Sequence, residues 1–256
     1  MPAPRVYRTD AVVLRQRRFG EADKICVLFT PQLGRVEAVA KGLRRPRSKL
    51  AGHLEPLTQV SLLLARGRNL DIITQAETQK SFADLHDDLD RLSRGLYLAE
   101  LVDRFTDAAG DVGNLYRLLV EALTRLDRDD GLDLIARWFE MRILVDQGYQ
   151  PRLDACVHCA SPLEPEGNSL APLLGGVVCP DCRVGLPGRP LSGNAFKLLR
   201  FLQSSPYDEV ARVRIDQALG AEIERHLREL VHVALDQEVK SAGFVDTVRA
   251  TRPVRR

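Results

Sequence analysis

Cys156 and Cys159 are followed, after nineteen intervening residues, by Cys179 and Cys182, a C-x2-C-x19-C-x2-C frame. At this spacing four thiolates can close a tetrahedron around one zinc ion. Four sulfur ligands saturate the metal, whereas a catalytic zinc keeps a position open for water, so the frame predicts a structural clip holding one Zn2+ per chain. Gly175 and Gly176 precede the second pair and Pro180 and Asp181 lie within it, supplying the turn chemistry needed to bend backbone around an ion. Two disulfides are the competing reading. The N-terminus, MPAPRVYRTD, has no apolar stretch of signal-peptide length, and the reducing compartment this implies favours thiolates. His158, inside the first pair, could serve as a ligand only by replacing a cysteine in an already complete shell.

The second chemical signal is cationic. Lys41, Arg44, Arg45, Arg47 and Lys49 crowd the segment KGLRRPRSKL, with Arg15, Arg17, Arg18, Lys24 and Arg35 upstream of it. The net charge of +2 conceals a polarised chain: residues 1–50 carry twelve Lys/Arg against four Asp/Glu, and residues 51–135 carry nine against sixteen. Such segregation sets a positive field over the N-terminal unit, which suits a polyanion, and arginine offers planar bidentate donors to phosphate. These ten residues are therefore the expected phosphate-binding surface, the bland alternative being a solvated charged loop. Aromatic stacking partners are few: Tyr7, Phe19, Phe29 and Phe82 are the N-terminal candidates, and Phe29 belongs more naturally to a core. An electrostatic, sequence-tolerant grip is expected rather than base readout. A second strand would need another cationic surface, near Arg212 and Arg214 or at Arg252, Arg255 and Arg256.

The elements that must position these groups change character near residue 80. Before it, Val6 to Leu14, Ile25 to Thr30, Arg35 to Ala40, Gln59 to Ala65 and Leu70 to Gln79 are short runs rich in β-branched and aliphatic residues, separated by Gly, Pro and basic loops. Five such strands fit a small closed barrel of the OB type, whose usual occupant is an oligonucleotide. From Phe82 onward, Leu85, Leu89, Leu92, Leu96, Ala99 and Val102 recur at helical steps; further helices are expected over Asn114–Leu126, Leu132–Gln147 with Gly148 as C-cap, Ala195–Gln203 with Ser192 as N-cap, and Ala221–Lys240. The reading is thus α+β: an OB-fold barrel over 1–80, then a mainly helical domain over 81–256 into which a zinc-binding insert is placed at about 151–190. Cys26, in the apolar run ICVLF, is expected in the core.

Catalytic constellations are missing. There is no phosphate-binding loop of the G-x-x-x-x-G-K-[ST] type, no G-x-S-x-G elbow and no H-E-x-x-H pair. His86 with Asp84, Asp87 and Asp88 looks like a metal or acid–base cluster, but carboxylates at a helix start more often complement the helix dipole. No run of about 18 apolar residues marks a membrane span. A cytoplasmic protein that is not an enzyme is expected.

The run RFGEADKICVLFTPQLGRVEAVAKGLRRPRSKLAGHLEPL resembles the N-terminal signature of the bacterial RecO recombination mediators. A G-E-x-D-[KR] turn is present as Gly20, Glu21, Asp23 and Lys24, a T-x-x-x-G-R hairpin as Thr30, Gly34 and Arg35, and A-x-G-x-R-R as Ala40, Gly42, Arg44 and Arg45. The downstream helices, the four-cysteine insert and the late EVKSAGF segment continue the likeness over nearly the whole chain. The resemblance implies an OB-fold followed by a helical domain, with zinc in many members and not in all. It further implies binding of single- and double-stranded DNA, annealing of complementary strands, association with RecR and through it RecF, and loading of RecA onto DNA covered by single-strand binding protein, SSB, whose acidic C-terminal tail some members bind. A nucleoid-associated location would follow. A zinc-ribbon transcription or translation factor is the alternative, and a zinc hydrolase a more distant one.

Overall fold

The computed structural model describes residues 5–106 and 112–251. Strands β1 (Val6–Phe19), β2 (Asp23–Thr30), β3 (Gly34–Ala40), β4 (Gln59–Ala65) and β5 (Asp71–Lys80) close a barrel in the order β1-β2-β3-β5-β4. Only the β3–β5 seam is parallel, matching Ala38 with Asp71 and Val39 with Ile72. This is the expected five-stranded OB arrangement. Ala11, Val13, Cys26, Leu28, Ala38, Leu62 and Leu64 fill its interior, the alternation that a pleated strand with one buried face requires. Burial pushes the Cys26 thiol up to about 11, as expected for a core residue.

One strand is longer than its composition suggests. β1 continues five residues past Leu14, because a register shift between Val13 and Arg15 lets the polar stretch go on pairing with β2 as far as Phe19 opposite Asp23. Arg15, Arg17 and Arg18 therefore sit on a strand, not in a loop.

The face of β1 and β2 turned away from the barrel interior is also buried. Val12, Val27 and Phe29 are fully enclosed. Helices α1 (Ala83–Asp87), α2 (Leu89–Phe105) and α3 (Gly113–Arg128) follow the barrel; α2 packs on β1 and α3 on β2, and the Phe29 ring lies 6.1 Å from that of Tyr116. Gly95 brings α2 so near the chain leading into β4 that a Cβ there would stand 2.7 Å from Leu57 Cδ1. The single helical run expected from Phe82 is broken at Asp88, which is extended and caps α2 by accepting the Arg91 backbone N–H.

Packing divides the chain into two compact units, Met1–Asp130 with Lys240–Arg256, and Gly131–Val239. Residue 80 thus ends the barrel strands without ending the unit, since the outer apolar face needs its helices. The second unit holds α4 (Leu132–Asp146), the strands β6 (Ser169–Ala171), β7 (Gly176–Val178) and β8 (Arg189–Pro190), and α5 (Gly193–Ser204), α6 (Tyr207–Val210) and α7 (Gln217–Leu235). Gly148 (φ +79) follows α4, and Ser192 caps α5 by accepting the Ala195 N–H at 3.1 Å, both as expected. The last helix expected, Ala221–Lys240, is α7, which starts earlier and stops sooner, and one more helix follows it. α7 ends before Asp236, a left-handed residue (φ 50), and α8 (Lys240–Thr251) returns to the first unit, where the Glu100 carboxylate accepts the N–H groups of Lys240 and Ser241. No helix among the described residues is long and apolar enough to cross a membrane.

Candidate metal centre and nucleic-acid interface

The four cysteine sulfurs lie within 4.8 Å of one another, and no other such group of potential ligands occurs among the described residues. The fold brings them together by pairing the two arms of the insert. The backbone of Arg152 bonds to Gly175 and Val177, Val157 N–H reaches the Val177 carbonyl, and β6 pairs with both β7 and β8. Gly176 is required at this crossing, since a Cβ would meet the Arg152 carbonyl at 2.4 Å. Each C-x2-C turn closes on itself: Ala160 N–H bonds to the Cys156 carbonyl, and Cys182 N–H to that of Cys179.

The donor set fits a metal. Although burial opposes ionisation of Cys156, backbone N–H groups around its sulfur hold the thiol at about 6; one of them, from Cys179, lies at 3.4 Å. Hydrogen bonding with Ser161 lowers Cys159, while the neighbouring sulfurs of Cys159 and Cys179 push Cys182 up to about 12. Four thiols so close cannot all ionise unaided; a divalent cation would relieve that conflict by replacing their protons. His158 is outside the group. His86 is not poised as a ligand either, because its two ring nitrogens face the carbonyls of Phe82 and Pro56 at 2.8 and 2.9 Å.

The expected phosphate-binding residues divide into two sets. Arg15 and Arg35 both direct Nε at the Asp103 carboxylate of α2, each at 2.6 Å, and Arg17 and Arg35 both bond to Glu37 at 2.9 Å. Burial opposes the charge on Asp103, yet the two guanidinium groups hold its carboxyl below the usual range; Glu37 is lowered in the same way by Arg17 and Arg35. Arg15 and Arg35 thereby tie α2 to the barrel, and Arg17 joins them through Glu37 across the strands. Lys24 is half-buried and bonds to Gln16.

The other set is open. Arg18, Lys41, Arg44, Arg45, Arg47 and Lys49 are exposed, and of these only Arg44 has a side-chain partner among the described residues, the Glu21 carbonyl at 2.7 Å. Their loop is pinned in place: Leu43 is 5% exposed within the barrel core, Arg44 N–H bonds to the Ala22 carbonyl, and Gly42 N–H to the Asp23 carboxylate at 2.7 Å. The β1–β2 hairpin and the loop after β3 thus form one cationic rim. Composition alone did not single out two other arginines of the barrel. Two further exposed cations, Arg66 and Arg68, lie in the β4–β5 turn, where Arg66 stacks over the Tyr7 ring at 4.9 Å. The only available signal was the R-G-R triplet 66–68.

Phe29 and Phe82 are core residues and Tyr7 is half-buried, donating its hydroxyl to Asp71, so Phe19 is the aromatic candidate left facing solvent. Arg212 and Arg214 are exposed between α6 and α7, whereas Arg252, Arg255 and Arg256 lie outside the described residues. A further open cleft of about 540 Å³ between α3 and the β4/β5 strands is lined by Lys80, Arg117 and Arg128 among others.

A closed OB barrel with a cationic rim, followed in the chain by a helical unit that carries a tetracysteine group, defines the class of α+β protein to which the chain belongs. Comparison with known sequences narrows it. Residues 4–82 match the family described as Recombination protein O N terminal, and residues 86–242 match Recombination protein O C terminal. The chain is 40% identical over 246 residues to DNA repair protein RecO of Roseiflexus sp. (strain RS-1), covering 96% of this chain and 87% of the relative. It is 34% identical to DNA repair protein RecO of Dehalococcoides mccartyi (97% and 98% covered) and 37% identical to that of Symbiobacterium thermophilum (96% and 99%). The chain belongs to the RecO family.

Proposed function

We propose that this protein is a DNA-binding recombination mediator acting in DNA repair, without a reaction of its own. The observation that carries this reading is the pinned rim of unpaired cations on an OB barrel, in a chain that matches the RecO family along nearly its full length. Arg18, Lys41, Arg44, Arg45, Arg47 and Lys49 meet the phosphates, joined by Arg66 and Arg68. Arg15, Arg17 and Arg35 contribute long-range field rather than direct contact, because carboxylates already occupy them. The zinc reading of the cysteine group follows from its four-sulfur donor set, and the ion clips the insert together.

Since no nucleotide-binding loop is present, annealing would draw its free energy from base pairing, the protein lowering the electrostatic cost of bringing two polyanions together. A second strand would dock at Arg212 and Arg214 or in the cleft at Lys80, Arg117 and Arg128. Association with RecR, with RecF indirectly, and with the acidic tail of SSB, leading to RecA loading on SSB-coated single strands, are the family's properties extended to this chain. A cytoplasmic, nucleoid-associated location accords with them. The test is fluorescence anisotropy with labelled single- and double-stranded oligonucleotides across a salt series, together with annealing of SSB-coated complementary strands without ATP. Binding that weakens steeply with salt and annealing that needs no ATP are expected. Salt-independent binding, or acceleration no greater than a bland basic protein of equal charge gives, would exclude the mechanism.

A further inference from the structure

We infer that Phe19 is a stacking platform for an unpaired base, and that it gives the cationic rim a preference for single-stranded over duplex nucleic acid. The inference rests on the DNA-binding reading of the rim and adds what that reading lacks, a contact able to tell one strand from two. Phe19 is the last residue of β1 and stands 46% exposed at the hairpin tip. Strand alternation places it with Arg17 on the outer face of β1, the side that α2 and α3 cover farther along at Val27 and Phe29. The helices leave this end of the face open.

A single exposed apolar side chain needs no explanation on most surfaces. Three features separate Phe19 from that case. It adjoins Arg18 and precedes Gly20 (φ +62), whose left-handed backbone turns the hairpin tightly. The tip is immobilised rather than loose, since Glu21, Ala22 and Asp23 each bond to the basic loop. The ring is consequently carried on a hairpin tip fixed to the loop that bears the cations meeting phosphate. Pre-fixing an aromatic ring removes most of the ordering cost of stacking. In duplex DNA the base faces are occupied by their neighbours, so only an unpaired base can stack on such a ring.

The experiment uses the full chain, an unstructured oligodeoxythymidine and a duplex of mixed sequence and equal length. Phe19→Ala should weaken binding to the single strand roughly tenfold, within the range seen when one stacking aromatic is removed. It should leave duplex affinity and the salt slope unchanged, with circular dichroism and the thermal midpoint confirming that the exposed substitution leaves the fold intact. In Phe19→Trp the new indole should be quenched by the single strand and not by the duplex; the chain's one native tryptophan, Trp138, is 3% exposed and supplies a quiet background. Wild-type single-strand affinity in Phe19→Ala, equal losses on both substrates, or no quenching in Phe19→Trp would overturn the inference. If charge reversal at Arg44 and Arg45 weakens binding while Phe19→Ala does not, the stacking inference alone falls. Should wild-type protein bind neither substrate, the DNA-binding reading falls with it.

Discussion

The cysteine group and the cationic rim are opposite kinds of site. The first is closed: four sulfurs within 4.8 Å of one another, drawn from 27 consecutive residues, with backbone N–H groups already aimed at them. The second is open, assembled from the β1–β2 hairpin and the loop after β3, and among the described residues its cations have no acidic partner. A closed set spends its chemistry on holding the fold, whereas an open set keeps it for a partner. The difference also sorts the arginines of the barrel, because the three that found carboxylates became structure.

Breaking the closed site should have the largest effect. Cys179→Ser removes one of four ligands and leaves an insert of short strands, two of three residues and one of two, to hold itself together. The expected loss is several kcal/mol, a fraction of the about 10–16 kcal/mol that structural zinc supplies in small zinc peptides. Elemental analysis should fall from the one zinc per chain proposed above, and limited proteolysis should cut within residues 151–190, while DNA affinity stays within about twofold if the two sites are as separate in role as in chemistry.

This contrast governs what could be read from the amino-acid order. Ligand spacing within one insert is a local pattern, so Cys156, Cys159, Cys179 and Cys182 were legible residue by residue. The barrel was legible because five runs of β-forming residues punctuated by turns leave few other closed arrangements. What escaped was set by distant partners. Nothing near Arg15 announces Asp103, 88 positions away, so its engagement could not be foreseen. The extension of β1 depended on a register shift that composition does not encode, and α8 was hidden because the helical period runs on past Asp236 while the backbone does not.

The open site should respond to charge by a smaller, measurable amount. Arg44→Glu together with Arg45→Glu should lower single-strand affinity by at least tenfold at low salt. The slope of log K against log salt should flatten by about 1.4, two phosphate contacts at about 0.7 each. Salt-series anisotropy reads both quantities, and an unchanged slope would move the DNA elsewhere, with the α3 cleft first in line.

The smallest effect tests the boundary between the two kinds of charge. Asp103→Asn should release Arg15 and Arg35 from packing, costing about 1 kcal/mol as partly exposed ion pairs do, and should strengthen DNA binding a few-fold by adding two cations to the rim. The same latch predicts a pH dependence whose sign is fixed. Asp103 and Glu37 titrate below their unfolded values, so the folded state gains from their charge at every pH above about 4 and loses that gain as pH falls through the folded values. Wild-type protein should therefore lose unfolding free energy below pH 4 more steeply than Asp103→Asn, and the two denaturation midpoints, well apart at pH 7, should converge in acid. Parallel curves would mean that Asp103 contributes no charge-dependent stability, and the division of the barrel's arginines into structural and binding sets would lose its energetic basis.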